Sequence, residues 1–189
     1  LRVDGHVRKF AVYLPSGLRK DAPLVFVLHG YGGGIDKANP MKHTADNHGF
    51  ALCIPEGLCD PQNKRSWNVG YPFQKTWKQN DVKDLQRMAA YVQQKYSLSK
   101  VNTFCTGMSN GGEMCYLLAY SNQTTFKAVA SIAGLTMLWM YKNLEAPRPI
   151  PLFEVHGTQD HVSEWWGNLK EDGSWGKYMP VPQAVNYWV

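Results

Sequence analysis

One segment restricts the fold of this chain more than any other. Residues 101–106 read as a short strand, Gly107-Met108-Ser109-Asn110-Gly111 as a tight turn, and 110–120 as a helix that is apolar nearly all round. A serine centred between two glycines at a strand-to-helix turn has the form of a nucleophile elbow. There the serine is strained and exposed above a sheet, and the glycines stand where a Cβ would collide with backbone. Gly112 adds further room. The competing reading is a glycine-rich turn with an ordinary serine, and the strand before and the helix after argue against it.

The rest of the chain supplies the sheet that such a turn requires. Residues 24–28 (LVFVL), 50–54, 128–133 and 152–155 are short apolar runs, as expected of strands covered on both faces. Residues 7–14 read as an extended lead-in. Residues 81–96 keep one apolar face through Val82, Leu85, Met88, Ala89, Val92 and Tyr96, with Asn80 or Asp81 as cap. Strands alternating with helices predict an α/β fold with a mostly parallel sheet flanked by helices, in one domain over residues 1–189. Ser109 is expected at the tip of the fifth strand of that sheet. Residues 134–151 carry three prolines and no clear period, and read as a surface excursion. Residues 183–189 read as a helix entered through Pro182 and ending on an apolar face.

Composition excludes some classes. With 44% hydrophobic and 19% charged residues, the chain has an ordinary globular balance. Its net charge of +5 comes from lysines and arginines that are scattered, never more than two in a row. Nucleic-acid binders concentrate such residues into a patch, so no nucleic-acid partner is expected. No apolar run reaches the ~18 residues of a membrane span. No obligate protein partner is inferred. Cys105 and Cys115 fall in apolar runs and read as buried free thiols, while a Cys53–Cys59 pair stays open.

Two further segments complete part of a catalytic constellation. The run 24–28 leads into His29-Gly30-Tyr31-Gly32-Gly33-Gly34. Such a segment supplies one oxyanion N–H, assigned to Tyr31 with Gly30 as the alternative, and Asn110 supplies the other. The glycines do not fit a dinucleotide or phosphate motif. The run 152–155 leads into His156-Gly157-Thr158-Gln159-Asp160, which places Asp160 just past a strand tip, after the serine. That order suits an acid that orients a histidine, with Asp172 as the fallback. The histidine itself is missing. Of the six histidines only His161 follows Asp160, and adjacency makes it a poor bridge to Ser109. His29 reads as structural, and His43 and His48 as solvent-facing. His156 and His161 lack the further ligands of a metal site. The chain is therefore expected to be part of a longer one, lacking its C-terminal strand, the histidine and a closing helix.

HGYGGG (29–34), SWN (66–68), NDVKDL (80–85), TGMSNGG (106–112) and HGTQD (156–160), in that order, resemble the esterase family that includes feruloyl esterases, acetylxylan esterases and polyhydroxybutyrate depolymerases. The resemblance implies an α/β-hydrolase fold, serine esterase chemistry, and no metal or cofactor. It also implies a secreted or periplasmic site of action. It implies Ser109 as nucleophile, Asp160 as acid, and oxyanion donors at Tyr31 and Asn110. His161 stands where family members often have proline. Trp67, Trp165, Trp166 and Trp175, with Tyr31 and Tyr71, suit stacking on sugar rings or a phenolic acyl group. Trp67 also reads as core with its N–H bonded. The expected substrate is an ester-linked acyl group on plant cell-wall polysaccharide, or a small ester. A polyhydroxyalkanoate or polyester depolymerase and a catalytically inactive carbohydrate-binding relative are the alternatives.

Overall fold

The computed structural model describes residues 1–3, 5–36, 39–170 and 173–189. Asp172, the fallback acid, lies outside the described residues. In chain order the elements are β1 (Arg2–Val3), β2 (His6–Val7), β3 (Phe10–Tyr13), β4 (Leu24–Leu28), α1 (Met41–His48), β5 (Ala51–Pro55), β6 (Leu58–Cys59) and β7 (Arg65–Ser66). After a single 3-10 turn at Pro72–Gln74 come α2 (Asp81–Tyr96), β8 (Thr103–Met108), α3 (Asn110–Tyr120), β9 (Val129–Ile132), α4 (Leu138–Asn143), β10 (Leu152–Val155) and α5 (Val181–Asn186).

Six strands form the central sheet in the order β10-β9-β8-β4-β5-β3. All pairs are parallel except β3 with β5. The C-terminal ends of β4, β8, β9 and β10 therefore share one edge, where loops of parallel sheets carry their sites. Ser109 follows the fourth strand of this sheet in chain order, not the fifth, because only β3, β4 and β5 precede β8 in it.

Side chains alternate across the sheet, and the two faces differ. Leu24, Phe26 and Leu28 of β4 and Cys105 of β8 join Leu85, Met88 and Val92 of α2 and Met114, Cys115 and Leu118 of α3 in the main core. On the other face α1 covers Leu52, Ile54, Val25 and Val27 through Ala45 and Met41. Further along that face Met108 (56% exposed) and Phe153 (67% exposed) lie open, with Ile132 and Val155 between and beside them.

Three readings need correction. Residues 134–151 are more than a surface excursion: Leu135, Met137 and Met140 are buried, and the apolar run around Trp139 winds into α4. The helix expected over 183–189 is α5, which starts at Val181 and ends at Asn186. Trp188 beyond it packs edge-on against Tyr120 at 4.8 Å. All four cysteines are free, with Cys53, Cys105 and Cys115 buried and Cys59 exposed. Burial pushes the Cys53 thiol up, which keeps it protonated.

Candidate active site

Ser109 sits in the strained turn that its sequence context demands. Its backbone has φ 53° and ψ −122°, a left-side conformation that a non-glycine residue rarely adopts. Such a residue costs on the order of 1–3 kcal/mol and persists only where its surroundings enforce it. Here β9 enforces it, since Ser109 N–H donates to Ile132 O at 2.8 Å and Glu113 N–H donates to Ser109 O at 2.9 Å. A Cβ on Gly107 would lie 2.4 Å from the Gly111 backbone, and one on Gly111 would lie 2.5 Å from Leu28 O. Both glycines are thus required by close packing of β8, α3 and β4.

The loop after β4 faces this serine. A Cβ added to Gly30 would come within 3.9 Å of Ser109 Oγ. The loop is braced from several sides. His29 Nδ1–H donates to Gly30 O at 2.7 Å, and His29 Nε2 accepts from Gly57 N–H at 2.9 Å. This pair fixes the neutral tautomer, and burial holds the His29 titration below the usual histidine range. Gly33 N–H also donates to Gly30 O, and Gly32 N–H donates to Arg65 O. The Tyr31 hydroxyl donates to Asp60, a bond that pushes the phenol up to about 12. Among the described residues, neither Tyr31 N–H nor Asn110 N–H has an acceptor.

The Ser-Trp-Asn and Asn-Asp-Val segments turn out to be the scaffold behind this loop. Trp67 is 0% exposed, and its indole N–H donates to His29 O at 2.9 Å. Its own backbone is clamped by the Asn110 side chain, whose Oδ1 accepts from Trp67 N–H at 2.7 Å while Nδ2 donates to Trp67 O at 3.2 Å. Trp67 therefore offers no face to a substrate. Its assignment as a substrate platform is corrected to a strut between the 29–34 loop and the elbow. The other face of its ring lies under Arg8, 5.6 Å from the centroid. Arg8 in turn is buried against Asp81 at 2.7 Å and Asp84 at 3.1 Å. Asp81 accepts from Asn68 N–H, and Asn80 caps α2 by accepting from Lys83 N–H. The Asn80 cap and a buried Trp67 with its N–H bonded were legible in the sequence. The Arg8–Asp81–Asp84 cluster and the Asn110 clamp were not, although Arg8 in the extended segment 7–14 and an Asn-Asp helix start were their signals.

Asp160 follows β10, and its Oδ1 accepts from Val162 N–H and Ser163 N–H, both at 2.8 Å. Burial opposes its ionisation, but those amides and the charges of His156 and His161 outweigh burial and hold the carboxyl below the usual range. It lies two strands from Ser109, on the same edge of the sheet. Trp165 and Trp166 share a surface depression of about 540 Å³ with Asp160. Trp175 is placed elsewhere, 5.3 Å from Tyr31 and 5.1 Å from Tyr71, in an aromatic wall beside the 29–34 loop. Among the described residues, no histidine hydrogen-bonds to Ser109 or Asp160: His43 and His48 lie exposed on α1, and His161 is exposed. No cluster of metal-ligating side chains is found among the described residues.

A mostly parallel sheet, a strained serine at a strand-to-helix turn and an acid two strands away on the same edge define an α/β-hydrolase. The chain belongs to the prolyl oligopeptidase family, whose pattern it matches over residues 41–183. Among characterised proteins it is similar to a bifunctional acetylxylan esterase/xylanase of Neocallimastix patriciarum, at 29% identity over 85% of this chain and 22% of that protein. It is also similar to poly(3-hydroxyalkanoate) depolymerase C of Paucimonas lemoignei, at 25% identity over 97% of this chain and 43% of that one. Feruloyl esterase B of Thermothelomyces thermophilus matches at 28% identity over 66% of this chain and 43% of its own. The chain thus spans less than half the length of these relatives. Of solved structures, a carboxylesterase of Bacillus cereus superposes with a TM-score of 0.66 at 15% identity, covering 83% of this chain and 74% of that one. An acetyl xylan esterase from Aspergillus awamori gives 0.59 at 22% identity, covering 72% and 50%. No helix of the described residues is long and apolar enough to cross a membrane.

Proposed function

We propose that this chain is the nucleophile-bearing part of a serine carboxylic-ester hydrolase. In this reading it removes feruloyl or acetyl groups from secreted-enzyme substrates of the plant cell wall, through an acyl-enzyme. The observation that carries the reading is Ser109, held at φ 53° with its Oγ against the Gly30–Tyr31 loop. Ser109 Oγ attacks the ester carbonyl carbon, and a histidine takes the hydroxyl proton. The free N–H groups of Tyr31 and Asn110 receive the developing oxyanion, aided by the positive end of α3. Collapse expels the sugar hydroxyl, which takes the proton back from the histidine. Water then cleaves the acyl-enzyme by the same steps. Asp160 orients the histidine and stabilises its charged form.

The histidine comes from outside these 189 residues. Two observations support this. No described histidine meets Ser109 or Asp160, and the sheet face around Met108, Ile132, Phe153 and Val155 is bare of the helix that would carry or follow such a residue. The wall of Tyr31, Tyr71 and Trp175 suits a phenolic acyl group or a sugar ring, while Trp165 and Trp166 flank the acid.

The likeness to a poly(3-hydroxyalkanoate) depolymerase, which runs over 97% of the chain, favours a polyester as the second reading. A catalytically inactive carbohydrate binder has no use for the strain at Ser109. The test is a panel of acetylated xylan, methyl ferulate, poly(3-hydroxybutyrate) and an aminoacyl p-nitroanilide, each with Ser109→Ala as control. Ser109-dependent cleavage of the first two supports the polysaccharide reading. Cleavage of the polyester alone selects the second, and cleavage of the anilide alone replaces both with a peptidase.

A further inference from the structure

The segment that delivers Asp160 begins with a histidine that the proposed triad does not use. His156 follows β10, with its side chain fully enclosed. Its Nδ1 lies 2.8 Å from Glu154 Oε1 and its Nε2 lies 2.7 Å from the Ser163 carbonyl oxygen. A carboxylate and a backbone carbonyl only accept. With Glu154 ionised, both ring nitrogens carry protons and the ring is the imidazolium cation. The hydrogen bond to Glu154 is the main cause that raises its titration above the ordinary histidine range. Burial opposes, and the Ser163 carbonyl with the charges of Glu154 and Asp160 reinforces. The Trp165 ring meets the imidazole edge-on at 6.1 Å.

The bonds beyond His156 lead towards both Asp160 and Ser109. The second oxygen of Glu154 accepts from the Tyr116 hydroxyl at 3.0 Å, and Tyr116 lies on α3, the helix that Ser109 opens. Ser163, whose carbonyl His156 holds, gives its N–H to Asp160 Oδ1 at 2.8 Å. We propose that His156 is a positioning residue, which locks the Asp160 loop to β10 and, through Glu154 and Tyr116, to the helix of the nucleophile. The inference rests on the reading of Asp160 as the triad acid.

The groups that face this assembly are Glu154 on its own strand, Tyr116 from α3, and Asp160 and His161 from the loop. Tyr178, with Glu164 beside it, lies within electrostatic reach of Asp160. Loss of one ring proton as pH rises leaves a lone pair against an oxygen, so the Asp160 loop loosens in alkali. The triad histidine acts with the opposite sign, because it must be neutral to serve as base. Activity falls in acid through the base and in alkali through His156.

The test uses the protein with its natural flanking sequence and 15N-labelled histidine. Both ring nitrogens of His156 are expected to carry protons at pH 7 and to lose one only above the free-histidine range. His156→Phe keeps a ring beside Trp165 and removes both donors. It is expected to lower kcat on p-nitrophenyl acetate by about tenfold or more. KM should stay within about twofold, and the alkaline limb of the pH profile should disappear. In an Asp160→Asn background it should cost less than about twofold more, because both changes act through one group. A ring with one bare nitrogen at pH 7, or losses that multiply in the double variant, would overturn the proposal. If His156→Phe fails to fold, the titration of the native ring decides. An unchanged kcat in Asp160→Asn removes the acid assignment and this inference with it, even when the ring is doubly protonated.

Discussion

Glu113 lies one helical turn past Ser109, fully buried, with one carboxyl oxygen lacking a partner among the described residues. Burial pushes its carboxyl up to about 8, and the Tyr71 hydroxyl and Asn110 carboxamide only partly offset this. The sign of the effect on stability is fixed. Between its ordinary 4.5 and about 8 the folded chain keeps a proton that the unfolded chain releases. Stability therefore falls as pH rises through that window, with a slope of up to about 1.4 kcal/mol per unit. Glu113→Gln keeps the shape and removes the titration. Its denaturation midpoint should match the native one near pH 5 and exceed it by about 1–3 kcal/mol equivalent at pH 8. Parallel pH profiles for the two proteins would show that Glu113 ionises freely. The sequence offered no sign of this residue, because an acidic side chain in the first turn of a helix ordinarily faces solvent and the helix dipole. Only the all-round apolar character of residues 110–120 hinted that any side chain there would be enclosed.

At the level of elements, what could be read depended on whether local pattern or distant contact decides. The helix 81–96, the elbow helix 110–120 and the strand 152–155 are where their local patterns place them: the first carries its own apolar face and the Asn80 cap, the second is apolar nearly all round behind a glycine turn, and the third is a short apolar run. α4 was missed since its helix is short and its burial comes from partners far along the chain. Its Trp139 indole donates to Val69 O, seventy residues earlier in sequence. The same holds for Trp67. An aromatic residue near a candidate site reads equally as platform or strut, and only the bonds to His29 and Asn110 distinguish the two. Those bonds make a prediction. Trp67→Phe keeps most of the packing but leaves the His29 carbonyl unsatisfied beside the oxyanion loop. It should cost about 1–3 kcal/mol of stability. It should also lower kcat by about tenfold or more while KM changes little, since in the proposed mechanism the loop acts on the transition state. A KM rise with kcat intact would return Trp67 to the substrate.

For the whole molecule, the sheet is finished on one face and open on the other. α2 and α3 seal the first, whereas Met108, Ile132, Phe153 and Val155 stand uncovered on the second and β10 presents an outer edge with no partner strand among the described residues. Apolar surface of this kind beside an open edge drives association. The 189-residue chain in isolation should therefore self-associate by sedimentation, and the form with its natural continuation should not. Equal dispersity of the two would mean that the open face is tolerated by solvent. The same comparison reaches the central claim, that Ser109 is a nucleophile whose base lies beyond these residues. Oxyanion donors and binding without the base retain only ~10³–10⁴ over water, far below a complete triad. The direct measurement is turnover of p-nitrophenyl acetate by the 189-residue chain and by the chain with its continuation, each beside its Ser109→Ala variant. The account predicts Ser109-dependent turnover that is weak in the first and at least about a hundredfold faster in the second. Equal, Ser109-dependent turnover by both would place the base within residues 1–189, with His161 the first to test, and would contradict it.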